Sequence, residues 1–268
     1  MTTDLKMPLT SHLEELRWRL VKSFVAIAIG FGISYNYSDA LFNLLAAPLL
    51  SINPAAGGGE DKVHLIGTGV VEAFFTKLKV SAIAGLFLAL PIVLFQLWKF
   101  VAPGLYEHEK RYALPFVIFG TFFFLSGAWF CYAMVLPVGY RFFMEQYSTI
   151  NINPEIRISE YLTFTSRMLL SFGVTFEMPV VTFFLARAGA VTHRTMLGYL
   201  RYAILIIFIV AAVLTPGPDV ASQLLMAGPL LFLYGVSILV AYLFARTPST
   251  PADSEASSDD SSTDLTAN

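Results

Sequence analysis

The run SHLEELRWRL (residues 11–20), continuing without a break into VKSFVAIAIGFGISYNY (residues 21–37), decides the architecture. Leu9, Leu13, Leu16 and Leu20 recur at helical spacing on one face, while Glu14, Arg17 and Lys22 take the other. Ser11 with Glu14 three residues on has the form of a capping box, which predicts a helix start there. A charged amphipathic helix feeding an apolar run predicts a segment that enters a bilayer.

Further apolar runs long enough to cross a hydrocarbon layer of ~30 Å lie at about 80–100, 112–136, 161–186, 197–214 and 220–244. Strands with open edges cannot cross lipid, so each run is predicted helical. The expected fold is an all-α integral membrane protein with six transmembrane helices over residues 1–246, preceded within that domain by the amphipathic segment 8–20. Composition agrees, since 56% of the 268 residues are hydrophobic and only 13% are charged, about half the charged share of a soluble domain. The formal charge of −2 is set by the tail 247–268, where Asp253, Glu255, Asp259, Asp260 and Asp264 occur without Lys or Arg. Setting those five negative charges aside leaves the body at +3. The tail, rich in Ser, Thr and Asp, is expected to be disordered. The N-terminus carries Asp4, Glu14 and Glu15 and no early apolar core, unlike a cleavable signal.

Orientation follows from the Lys/Arg bias. With both termini cytoplasmic, Lys6, Arg17, Arg19, Lys22, Lys99, Lys110, Arg111, Arg187, Arg194, Arg201 and Arg246 fall inside. Lys62, Lys77, Lys79, Arg141, Arg157 and Arg167 fall outside, and this eleven-to-six split favours that orientation. The outer segment 38–76 contains LFNLLAAPLL, which reads as a piece packed along the membrane surface, and a flexible glycine triplet at 57–59. The fifth span has an uncharged core of only thirteen residues, 202–214, or ~20 Å. It predicts local bilayer thinning with Arg201 snorkelling, or a re-entrant hairpin. Prolines 91, 115, 137, 179 and 229 lie in or at the ends of spans and invite bends, so a bent bundle with a concave face is expected.

No catalytic constellation is visible: there is no P-loop, G-x-S-x-G or H-E-x-x-H, and none of the four histidines lies within a span. The single cysteine, Cys131, excludes an intrachain disulfide and reads as a small buried hydrophobe. The expectation is no enzyme, no cofactor, no metal and no nucleic-acid partner.

Two features carry chemistry. Glu177, in SFGVTFEMPVV, lies ten residues before Arg187, ~15 Å from the end of its helix and so near mid-bilayer. A charge there costs on the order of 3 kcal/mol, so it implies a function or a buried partner such as Gln96 or Gln223. The apolar setting favours the neutral carboxyl. The second feature is acidic: Glu14 and Glu15 at the N-terminus and Glu107 and Glu109 in the loop FVAPGLYEHEKR (residues 100–111). Four carboxylates on the cytoplasmic side can hold arginines through paired hydrogen bonds. They can equally pair within their own helix, Glu15 with Arg19 and Glu14 with Arg17.

Taken together, HLEELRWRL (12–20), LIGTGVVEAFFTKLKVS (65–81), FVAPGLYEHEKR, FGVTFEMPVV (172–181) and TPGPDVASQLLMAGPLLFLYG (215–235) resemble the TatC family, the multispanning subunit of the twin-arginine protein translocase. The resemblance covers about residues 8–244. It departs at Gly235, where the family often has an acid, and at TPGPD, which has one residue more than the commoner TPPD.

The resemblance implies a cell inner-membrane protein that binds the twin-arginine motif of signal peptides on folded cargo, with export driven by the proton-motive force. It assigns the recognition role to Glu15 and Glu109, supported by Arg17, Pro103, Leu105 and Tyr106. It further implies that Glu177 faces the concave side, that Thr215 and Gln223 contact single-span TatA and TatB type subunits, and that the complex holds several copies of the chain. A competing reading is a proton-coupled small-solute transporter, motivated by Glu177 and the bent spans. It would transport as a single protein, and the inverted repeats usual in such transporters are not visible.

Overall fold

The computed structural model describes residues 9–51, 65–101, 110–149, 154–214 and 220–244. In chain order the elements are α1 (Leu9–Tyr35), α2 (Ser38–Leu50), β1 (Leu65–Ile66), α3 (Glu72–Val101), α4 (Lys110–Phe130) and a π-helical turn (Cys131–Val135). They continue with α5 (Leu136–Thr149), β2 (Ile156–Arg157), α6 (Ile158–Arg187), α7 (His193–Gly198), α8 (Leu200–Leu214) and α9 (Val220–Phe244). Four stretches are long and apolar enough to cross a membrane: Glu72–Val101, Ala113–Tyr147, Ile158–Arg187 and Met226–Phe244. Two shorter apolar helices, α2 and α8, accompany them.

Several sequence expectations are refined. The amphipathic segment and the first apolar run form one helix, and Leu9 and Thr10 are already helical, so Ser11 lies inside α1 rather than opening it. The run at 112–136 does not stop there. At the π turn the Leu136 amide donates to the Cys131 carbonyl five residues back, one residue before Pro137, and the chain carries on as α5. A proline cannot extend the α-helical ladder, and the wider turn absorbs the mismatch. The fifth run breaks at Gly198–Tyr199 into α7 and the fifteen-residue α8. The piece anticipated along the surface is α2. The glycine triplet lies outside the described residues, as does the tail.

The closest helix crossing joins α1 to α3. A Cβ on Gly30 would lie 2.5 Å from the Gly85 carbonyl oxygen, and one on Gly85 would lie 2.4 Å from the Phe31 amide nitrogen. The residues flanking this contact are also small: Ala26 and Ser34 on α1, Ser81 and Ala89 on α3. Small residues at four-residue spacing let backbones meet where lipid supplies no hydrophobic drive. The α4–α6 crossing works differently, with rings set into glycine notches. Phe176 covers Gly127, and Phe124 covers Gly173.

Two apolar clusters result. One gathers Leu49, Val80, Cys131, Leu136, Leu162, Met168, Phe172 and Met226 from α2, α3, the π turn, α5, α6 and α9. The other, toward the end of the bundle that carries Val101 and Arg187, stacks Trp98 on Phe116 with centroids 4.7 Å apart and Phe184 against both. Helix α6 ends on Gly189 at φ +78°, with the Gly189 amide donating to Ala186 and the Ala190 amide to Leu185. That pair of bonds is a Schellman stop, and a left-handed residue is why glycine sits there.

Candidate functional site

The N-terminal acidic pair splits in two. Glu15 and Arg19 lie one turn apart on α1, and Arg19 donates to the Glu15 carboxylate from Nε at 3.0 Å and from Nη2 as well. The guanidinium thereby fixes one carboxylate oxygen while the side chain of Glu15 stays partly open to solvent. Glu14 and Arg17 are exposed and form no ion pair among the described residues, so the anticipated pairing of those two is not made. Arg17 is exposed on the same helix, two residues after the carboxylate that Arg19 holds. Glu107 and Glu109, with Pro103, Leu105 and Tyr106, lie outside the described residues, and so does Thr215. Among the described residues, Trp98, Phe116 and Phe184 stack together where α3, α4 and α6 approach Val101, Lys110 and Arg187.

Glu177 sits on α6 halfway between Arg167 and Arg187, twenty residues apart, so ~15 Å from each along the helix. Its carboxyl oxygens are buried between α3 and α4, against Leu94 and Gly120, and have no hydrogen-bond partner among the described residues. Neither Gln96 nor Gln223 holds it. The Gln223 amide instead donates to the Phe208 carbonyl at 2.9 Å, tying α9 to α8. Pro179 lies two residues beyond Glu177 inside the helix, and the Thr175 hydroxyl donates to the Ser171 carbonyl.

On the α2 side of the bundle the structure shows contacts that sequence reasoning missed. The Glu72 carboxylate, at the start of α3 ahead of its apolar stretch, accepts from the Thr68 amide (2.6 Å), the Gly69 amide (3.0 Å) and the Ser159 amide (3.0 Å). Those bonds, with the Thr68 amide contributing most, hold its carboxyl down to about pH 2 from the usual carboxylate range. They also clamp the parallel β1–β2 bridge, Leu65 opposite Ile156, to the starts of α3 and α6. Helix α2 is fastened by tyrosines: Tyr132 donates to the Leu44 carbonyl at 2.8 Å and Tyr161 to the Leu45 carbonyl at 2.5 Å. Pro48 inside α2 has no N–H to give Leu44, which is why that carbonyl is available. An in-helix proline four residues after an apolar position was the one readable signal for it.

The family model described as Sec-independent protein translocase protein TatC matches residues 11–229. A Sec-independent protein translocase protein TatC from Desulforapulum autotrophicum is 45% identical over 97% of this chain and 93% of its own length. The corresponding protein of Aquifex aeolicus is 36% identical over 90% of this chain and 97% of its own. A crystal structure of a twin-arginine translocase receptor, TatC, is similar with a TM-score of 0.77 at 36% identity, covering 88% of this chain and all of that one.

Proposed function

Because the chain belongs to the TatC family of Sec-independent protein translocase proteins, we propose that within that translocase it is the receptor for signal peptides. It takes the twin-arginine motif of folded cargo at the cytoplasmic surface, for export driven by the proton-motive force. The observation that carries the reading is the Glu15 carboxylate, oriented by Arg19 yet partly open, on a chain 36% identical to a protein described as a twin-arginine translocase receptor. A planar guanidinium is best received by an oriented carboxylate, and Arg19 holds one oxygen of this one. In this reading Glu109 is the second carboxylate, and Arg17, Pro103, Leu105 and Tyr106 shape the surface around both.

In the same reading α1 and α8 complete six crossings of the cell's inner membrane, both termini are cytoplasmic, and the complex contains further copies of the chain. The surface near Thr215 and Gln223 meets single-span TatA and TatB type subunits. Glu177, a mid-membrane carboxyl without a hydrogen-bond partner among the described residues, meets a polar group brought by one of them. The test is site-specific crosslinking of a twin-arginine signal peptide to the chain in membranes. Glu109→Ala should weaken it roughly tenfold, the worth of one charge-assisted pair, and Glu15→Ala less, because Arg19 already shares that carboxylate. Unchanged crosslinking at normal protein levels removes the role.

A further inference from the structure

We propose that Lys79 on α3 and Arg167 on α6 form a recognition patch for the phosphate of an anionic phospholipid headgroup, on the α2 side of the membrane. Two other described cations of that side are matched by acids: Lys77 lies 2.7 Å from Asp39, and Arg157 lies 3.8 Å from Glu160. Lys79 and Arg167 are both exposed, and neither has a carboxylate within ion-pair distance among the described residues.

The two are brought together by Thr163. The Lys79 ammonium donates to the Thr163 hydroxyl oxygen at 2.8 Å, and that hydroxyl spends its own hydrogen on the Ser159 carbonyl at 2.6 Å. Lys79 is therefore held in place with two N–H bonds still to give. Arg167 follows Thr163 by one turn on the same face of α6, ~6 Å away.

Depth identifies the ligand. Lys99 lies twenty residues after Lys79, and Arg187 twenty after Arg167. Each interval is ~30 Å of helix, the thickness of the hydrocarbon layer. Two helices thus place their upper cations independently at headgroup level. A phosphodiester between them would receive a point charge from lysine and paired N–H bonds from arginine. A zwitterionic headgroup brings its own cation beside the phosphate, so an anionic lipid is favoured.

The test is native mass spectrometry of the full chain released from nanodiscs of mixed phosphatidylglycerol and phosphatidylcholine. The unmutated chain should retain phosphatidylglycerol preferentially, and the preference should weaken as salt rises before release. Lys79→Gln and Arg167→Gln should each cut it about fivefold, the worth of one cation near a charged surface, and Lys77→Gln should leave it unchanged. Equal retention of the two lipids, a preference indifferent to salt, or a double variant that retains phosphatidylglycerol like the unmutated chain would each overturn the proposal. The salt arm needs no variant to fold.

Discussion

A Cβ on Gly120 would lie 3.1 and 3.3 Å from the two carboxyl oxygens of Glu177, so the missing side chain on α4 is what gives the carboxyl on α6 its room. The room is apolar, with Leu94 Cδ1 only 2.9 Å from the same point, and it offers the carboxyl no hydrogen bond among the described residues. A polar group kept in such a place is a liability to the isolated chain.

Glu177→Leu should therefore stabilise the isolated protein, by about 1–3 kcal/mol, because an apolar side chain of similar size removes an unpaired buried polar group. The same change should lower export of a folded twin-arginine reporter. Thermal unfolding in detergent and an export assay measure the two sides. A destabilised variant would mean that Glu177 is held by its own bundle after all.

The α1–α3 crossing predicts a sharp contrast between neighbouring glycines. Gly85→Leu drives side-chain atoms into the Phe31 backbone, which cannot yield as a flexible side chain would, and should cost about 3 kcal/mol. Gly32→Ala, on the same helix as Gly30 but with nothing within 4 Å, should not destabilise and should gain about 0.5–1 kcal/mol from the better helix former. Protein abundance in membranes and unfolding midpoints separate the two. Equal effects would place the crossing elsewhere.

Much of this was readable in one dimension. Apolar length located α3, α6 and α9, the i,i+4 spacing of Glu15 and Arg19 anticipated their ion pair, and Pro137 marked the place where the third apolar run changes its winding. What stayed hidden depends on which faces meet. Gly30 and Gly85 are 55 positions apart in the sequence, and the Glu72 carboxylate reaches the Ser159 amide across 87. Local periodicity carries no information on either. The Phe208 carbonyl that Gln223 meets stays hidden for a related reason: an amide on an apolar helix advertises a need for hydrogen bonds without saying that a backbone carbonyl on the adjoining helix will meet it.

Glu72 predicts a pH response on the α2 side. Its folded carboxyl titrates near 2, below the ordinary value of 4.5, so its contribution is fully present above about pH 4.5 and is lost as pH falls toward 2. Amide exchange at Thr68, Gly69 and Ser159, corrected for intrinsic rates, should accelerate across that window. In Glu72→Gln the exchange should be faster at neutral pH and flat through it. A variant whose exchange still responds like the unmutated chain would assign the response to another group.

The link between Pro48 and Tyr132 makes the most specific prediction. Tyr132→Phe strands the Leu44 carbonyl and should cost about 1 kcal/mol, loosening α2 from the bundle. In a Pro48→Ala background residue 48 regains an N–H that reaches Leu44 along the helix, so the loss of the tyrosine hydroxyl should matter much less. The two changes should couple by 0.5 kcal/mol or more, roughly the range of contacting residues. Tyr161→Phe serves as the control, because its acceptor is the Leu45 carbonyl, one residue on, and its cost should be nearly the same in both backgrounds. Strict additivity of Pro48→Ala with Tyr132→Phe in unfolding measurements would show that the proline does not create the acceptor.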